Sequence, residues 1–412
     1  IEFPTDAEDG PLATFAFDRS QLESTIAGLF EYFSDRFQLY GRRFEPVFFE
    51  GQGDFVSEFG GAGQEGAEAD AVKVAEEIKP FAELLGLTTP FSDALARRQV
   101  VNMGALFMSR EWYQARSPYV WTSTPDCTFV LESASDYLLK RVIGRSAAHA
   151  GGDLAGTDRK LGVIAPDNPW FQECVDAGME KLEAAGAPAP FRASYRLDFN
   201  QLSNQAASLV AKLRDAGVTT VVCGCDPALP IFLTSKAHEQ GYQPEWILIG
   251  APFSDTDVFG QSYQQDQWSR AFGLSFTGTP RPTRATHGYH AFKAARPNEE
   301  PIELVDYLYH QMYVLALGVH MAGPNLTPET FRDGLYAWAG GSGAAGTWRF
   351  DPGRHTPTQD AREIYWDREA TSPHNGKPGT YIETEPGRRY RPGQWRREDP
   401  PVFRSGDRVP AP

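Results

Sequence analysis

One supersecondary unit occurs twice in this chain, and it restricts the possible folds more than any other feature. In the first half, a helical stretch 67–78 runs into the apolar strand 81–86, and the short loop Leu87-Thr88-Thr89-Pro90 leads to helix 91–98 and strand 100–105. In the second half, helix 205–216 leads to strand 218–223, loop Gly224-Cys225-Asp226-Pro227, helix 229–240 and strand 245–250. Strands that are apolar at nearly every position need cover on both faces, which calls for parallel sheets flanked by helices. The repeat therefore predicts an α/β protein of two Rossmann-like lobes. A chain of 412 residues is long enough to give each lobe its own core.

The flanking pattern extends both halves. A strand 43–49 after an amphipathic helix 22–37 is expected to join the first sheet. Only Ile1 to Phe3 remain for a strand before that helix, so N-terminal residues are expected to be missing, as from a processed or truncated product. Strand 160–165, loop 166–169, helix 170–185 and strand 191–195 open the second sheet. Beyond Gly250 the alternation stops. A loop and short helix over 254–270 lead to strand 273–277, and a long helix over 302–321 ends at Gly323-Pro324. Thr327 as N-cap with Pro328 in the first turn starts another helix. Residues 369–412, rich in Pro, Gly and Arg, read as an extended strap.

Composition removes several classes of function. A formal net charge of −15 argues against a phosphate-tracking surface, so nucleic acid is excluded as a partner. The longest apolar run, 307–322, is broken by His310, Gln311, Gly318 and His320 and is too polar to span a bilayer. Four cysteines, Cys127, Cys174, Cys223 and Cys225, fit small buried thiols or one disulfide, and no second pair completes a thiolate metal site. His287 and His290, with Gly288 between them, are expected in a surface loop without an acidic partner at metal spacing. Gly341-Ser342-Gly343-Ala344-Ala345-Gly346 matches a dinucleotide fingerprint in letters only, since it follows a helix and precedes a strand. No Gly-x-Ser-x-Gly elbow is present. The chain is read as a non-enzyme with no cofactor and no metal.

In order and spacing, several segments resemble the type I periplasmic binding proteins, specifically the branched-chain amino acid (Leu/Ile/Val) group of ABC transporter receptors. They are Tyr32-Phe33 through Leu39-Tyr40-Gly41-Arg42-Arg43, the 67–104 unit, Pro118-Tyr119-Val120-Trp121-Thr122, and Gly346-Thr347-Trp348-Arg349-Phe350-Asp351-Pro352-Gly353 followed by Ile364-Tyr365-Trp366. The resemblance implies a first lobe of 1–120 plus 279–338 and a second of 125–272 plus 346–368. Three crossovers, near 119–124, 272–278 and 338–346, would form a hinge that lets the lobes close on a small-molecule ligand. It further implies a monomer outside the cytoplasm, in the periplasm or as a cell-surface lipoprotein, that delivers ligand to the membrane permease of an ABC transporter. A ligand-sensing binding protein for a receptor or regulator is the alternative, and an α/β enzyme ranks below it.

Open parallel sheets bind ligands at the carboxyl ends of their strands. That rule nominates Leu87, Thr88, Thr89, Ala105, Leu106 and Phe107 from the first lobe. From the second it nominates Asn168, Pro169, Trp170, Asp226, Pro227, Pro252 and Phe253. Each has a plainer reading: Thr88, Thr89 and Asp226 as helix caps, Trp170 as cover for its own helix, Phe107 and Phe253 as core. Departures from the family point to the ligand. Gly104-Ala105-Leu106-Phe107-Met108 is apolar where the family hydrogen-bonds an amino-acid carboxylate, and Ala251-Pro252-Phe253 stands where the family places the carboxylate that meets the ligand ammonium. Unless Asp226 or Asp255 substitutes, an α-amino acid is disfavoured. The expected ligand is apolar or aromatic and carries a carboxylate or amide.

Overall fold

The computed structural model describes residues 1–5, 18–250, 253–343 and 345–397. The chain divides into two compact units, the first of Ile1–Asp126, Arg281–Gly341 and Trp348–Thr358, the second of Cys127–Pro280, Ser342–Thr347 and Gln359–Pro412.

The first unit begins with β1 (Glu2–Phe3), α1 (Arg19–Arg36), β2 (Phe49–Glu50), α2 (Phe55–Phe59) and α3 (Gln64–Val72), which continues as a π-helical turn over Lys73–Ile78. β3 (Ala82–Leu84), α4 (Thr89–Arg97), β4 (Val101–Met103), α5 (Arg110–Ala115) and β5 (Val120–Trp121) follow. β3, β4 and β5 form a parallel three-stranded sheet. The strand expected over 43–49 is realised only at its last residue. β2 pairs with β1 in a separate two-stranded sheet, and Pro46, which has no N–H to donate, falls in the stretch left outside any strand.

The second unit opens with α6 (Cys127–Tyr137), β6 (Leu161–Pro166), α7 (Pro169–Ala184), β7 (Phe191–Tyr195), α8 (Leu202–Asp215), β8 (Thr220–Cys223), α9 (Leu229–Glu239) and β9 (Glu245–Ile249). The short helices α10 (Asp257–Ser262) and α11 (Gln265–Trp268) precede β10 (Ala271–Ser275). The chain then returns to the first unit for α12 (His287–Ala295), α13 (Val305–Ala322) and α14 (Pro328–Ala337). α14 starts at a capping box in which Thr327 and Thr330 satisfy each other's backbone N–H groups. β11 (Gly341–Gly343) and β12 (Gly346–Trp348) form a two-stranded sheet from the glycine-rich stretch. β13 (Arg362–Thr371) and β14 (Pro378–Glu383) end the described elements.

In the second unit β6 to β10 run parallel, and the sheet order is β14-β13-β10-β9-β8-β6-β7. β6, β8, β9 and β10 are buried along their whole length, as their largely apolar sequence requires. From residue 369, where the sequence suggests a strap, the chain finishes β13 and comes back as β14, both antiparallel to their neighbours. The core of the first unit is built from Ile26, Leu29 and Phe33 of α1, Val101, Met103 and Trp121 of the sheet, Phe292 of α12, and Leu315 and Phe331 of α13 and α14.

Two further expectations need correction. His287 and His290 lie on α12 rather than in a loop. The Thr286 hydroxyl accepts the Tyr289 N–H and caps that helix. Gly288 is there for close packing rather than for a turn, since a Cβ on it would come within 2.5 Å of the Val305 carbonyl oxygen. The cysteines form two disulfides rather than at most one, Cys127–Cys174 between α6 and α7 and Cys223–Cys225 at the end of β8. Among the described residues no helix is long and apolar enough to cross a membrane.

Candidate functional site

In the first unit the carboxyl ends of β3, β4 and β5 form one rim, and backbone hydrogen bonds lock its loops together. The Gly86 carbonyl accepts from Ala105 N–H at 2.9 Å, Ser92 Oγ at 2.8 Å and Asn102 Nδ2 at 3.0 Å. Gly104 packs so closely on this peptide that a Cβ would lie 2.1 Å from the Gly86 oxygen. Leu85, Ala105 and Phe107 all hold left-handed backbone, with φ of 75°, 56° and 60°. Non-glycine residues avoid that region, and where it is held, a function is commonly nearby.

The predicted rim residues take distinct places here. Leu87 is half-buried, whereas Ala105, Leu106 and Phe107 are buried. Thr88 is the N-cap residue of α4, yet its hydroxyl donates to Glu58 and makes no capping bond. The Thr89 hydroxyl points at Met108 Sδ, 3.4 Å away, and so joins the two loops. Three contributors escaped sequence reasoning. Gln311 of α13 accepts Ser123 N–H at 3.0 Å and donates to Thr122 Oγ1 at 3.2 Å and to the Tyr307 hydroxyl at 3.0 Å, which ties the end of β5 to the helix. Tyr113 of α5 donates its hydroxyl to the Ala105 carbonyl. In the second unit, Tyr195 serves Asp226.

Strand order in the second unit reverses between β6 and β8, because β7 lies outside β6 on one side while β8 and β9 continue on the other. Such a switch point leaves a crevice at the carboxyl ends of the two strands. The loop after β6 brings buried Asn168, exposed Pro169 and half-buried Trp170 to it, with Pro169 opening α7 and the Trp170 ring 6.2 Å from that of Phe171. The loop after β8 brings the Cys223–Cys225 disulfide, Asp226 and half-buried Pro227. Phe253, half-buried, stands in the loop after β9 with a left-handed φ of 58°. Pro252, nominated with it, lies outside the described residues.

The two acidic candidates of this unit are already engaged. Asp226 Oδ1 accepts from the N–H groups of Ala228 (2.8 Å) and Leu229 (3.1 Å), while Oδ2 accepts the Tyr195 hydroxyl. Its own N–H donates back to that hydroxyl at 2.9 Å. Burial raises the Asp226 carboxyl above the usual carboxylate range, opposed by these donors, and burial beside Asp226 pushes the Tyr195 phenol well up. Asp255 is buried, accepts from Thr277 Oγ1 at 3.2 Å and lies in the field of the buried Arg362 guanidinium. Among the described residues no group of His, Cys, Asp and Glu converges as a metal site would.

Two α/β units, each with a parallel sheet gathering small, hydroxyl and aromatic residues at its strand tips, define the class: an α/β solute-binding protein of the type I periplasmic fold. The sequence pattern of the family described as "Periplasmic binding protein" matches residues 64–371, and the chain belongs to that family. Solved structures agree in fold. An ABC transporter solute binding protein from R. palustris in complex with 4-hydroxybenzoate superposes with a TM-score of 0.65 at 14% identity, covering 95% of this chain and 96% of that one. A second, from Rhodopseudomonas palustris BisB5 in complex with 3,4-dihydroxy benzoic acid, gives 0.66 at 13% identity over 95% and 96%. A possible leucine/isoleucine/valine-binding protein from Rhodopirellula baltica SH 1 gives 0.61 at 10% identity over 92% and 95%. A comparison of the sequence with curated proteins found no match.

Proposed function

We propose that this chain is the extracytoplasmic solute-binding subunit of an ABC-type uptake system. It binds an aromatic or apolar carboxylic acid at its strand-tip loops, hands it to a membrane permease and leaves it chemically unchanged. The observation that carries the ligand class is the state of Asp226, whose two oxygens are taken by a tyrosine hydroxyl and two helix N–H groups. A ligand ammonium would have to break those bonds or be buried without a counter-charge, at a cost of about several kcal/mol. In the first unit the apolar 104–108 loop suits a ring, and in the second Trp170 and Phe253 do so at its own strand tips. Two fold neighbours are complexed with 4-hydroxybenzoate and 3,4-dihydroxy benzoic acid, which have this chemistry. Two disulfides fit an oxidising compartment outside the cytoplasm.

The experiment is a thermal-shift and calorimetric series with 4-hydroxybenzoate, 3,4-dihydroxybenzoate, benzoate, leucine, isoleucine and valine. An acid of about micromolar Kd at about millimolar concentration stabilises the fold by about 4 kcal/mol. Comparable stabilisation by leucine, isoleucine or valine, with none by the aromatic acids, overturns the proposed ligand class. Chromatographic recovery of the bound acid unchanged checks that nothing is turned over.

A further inference from the structure

We propose that Tyr113 is a positioning residue for the ligand, its hydroxyl fixing the 104–108 loop in the backbone conformation that the ligand meets. The proposal rests on the reading that this loop lines the binding site. Tyr113 is 1% exposed and follows directly on that loop. The Ser109 hydroxyl accepts the Trp112 N–H at 3.1 Å and starts α5, which turns the Tyr113 ring back beneath the segment it has just left. The Trp112 ring meets it edge-on at 5.4 Å.

The hydroxyl is bonded to a backbone group of the loop: it donates to the Ala105 carbonyl. That bond anchors a stretch containing two non-glycine residues in left-handed backbone, Ala105 and Phe107. Phenylalanine would fill the same volume, so the hydroxyl is explained by this bond rather than by ring packing. Ala105, Leu106, Phe107 and Met108 have no side-chain N–H or O–H to offer a ligand. What the loop presents is peptide orientation and ring placement, and both depend on the backbone that Tyr113 holds.

The test compares Tyr113→Phe with Tyr242→Phe. Tyr242 is an equally buried tyrosine whose hydroxyl donates to the Val218 carbonyl at 2.7 Å, at the end of β8 remote from the strand tips. Both variants lose one buried hydroxyl-to-carbonyl bond, so a merely structural role lowers their melting temperatures alike and separates them in nothing else. Hydrogen exchange is measured first on the ligand-free proteins. Amides 105–108 are expected to exchange about tenfold faster in Tyr113→Phe and at the parent rate in Tyr242→Phe. Calorimetry with 4-hydroxybenzoate is then expected to show Kd raised about tenfold by Tyr113→Phe and unmoved by Tyr242→Phe. Unchanged loop exchange in Tyr113→Phe overturns the proposal, as does faster exchange with parental affinity. If the parent protein binds none of the acids, the ligand class proposed above fails by itself, and loop exchange alone decides the role of Tyr113.

Discussion

His355 should make the first unit unstable to mild acid. Its Nδ1 is 2.7 Å from the Val120 carbonyl, which can only accept, so Nδ1 carries the proton and Nε2 is left a bare acceptor. Among the described residues Nε2 is buried without a hydrogen-bond partner, and the ring stacks on Trp121 at 4.1 Å with Tyr113 and Tyr336 close by. Burial lowers its pKa from 6.5 to about 4; the Val120 bond opposes the shift and Arg332 adds to it. Between those values the unfolded chain holds a proton that the folded one refuses, so stability falls as pH falls through this window and is intact above it. At pH 5 the difference amounts to about 2 kcal/mol. His355→Phe keeps the stack but strands the Val120 carbonyl, at about 1–2 kcal/mol near neutrality. Urea unfolding at pH 7, 6 and 5 should therefore show the variant weaker at pH 7 and level with the parent near pH 5. His149, also lowered to about 4 by burial, titrates in both proteins and cancels in the difference. A gap between parent and variant that is the same at pH 7 and pH 5 would refute the reasoning.

Three other outcomes are expected. Replacing Cys127 and Cys174 by serine opens a cross-link between residues 47 apart and should lower unfolding free energy by about 4 kcal/mol, read from the urea midpoint. Arg141→Met leaves Glu363, whose Oε2 is 2.9 Å from the guanidinium, as a lone buried carboxylate; about 3–5 kcal/mol should be lost, and adding Glu363→Leu should restore most of it in thermal unfolding. Gly104→Ala forces the two loops of the first rim apart, costing about 1–3 kcal/mol, and calorimetry should find weaker acid binding. Parental affinity in that variant would mean that the contact at Gly86 does not shape the site.

Much of the second unit was legible because most of its strands are largely apolar runs between helices with their own stop signals, such as Gly217 after α8 and Gly241 after α9, both with positive φ. The first unit was less so, because a strand such as β5 spans only Val120–Trp121 and leaves no periodic trace. The likeness to a binding-protein family was readable from the order of its segments, and with it the loops that carry the rims. The atoms that organise those loops were not. Gln311 reaches Ser123 across 188 positions, and Tyr195 reaches Asp226 across 31, through contacts that only the finished fold creates. The cysteine pairs were hidden for the same reason. Even number constrains pairing weakly, and the proximity of Cys127 to Cys174 follows from the packing of α6 against α7.

The late strands of the second unit affect how the protein is made. Its sheet starts at Leu161 but takes β13 and β14 from residues 362–383, after the chain has gone back to build part of the first unit. A nascent polypeptide that has made β10 but not yet β13 leaves the edge of β10 unpaired, and the sheet is completed only once residues 362–383 have been added.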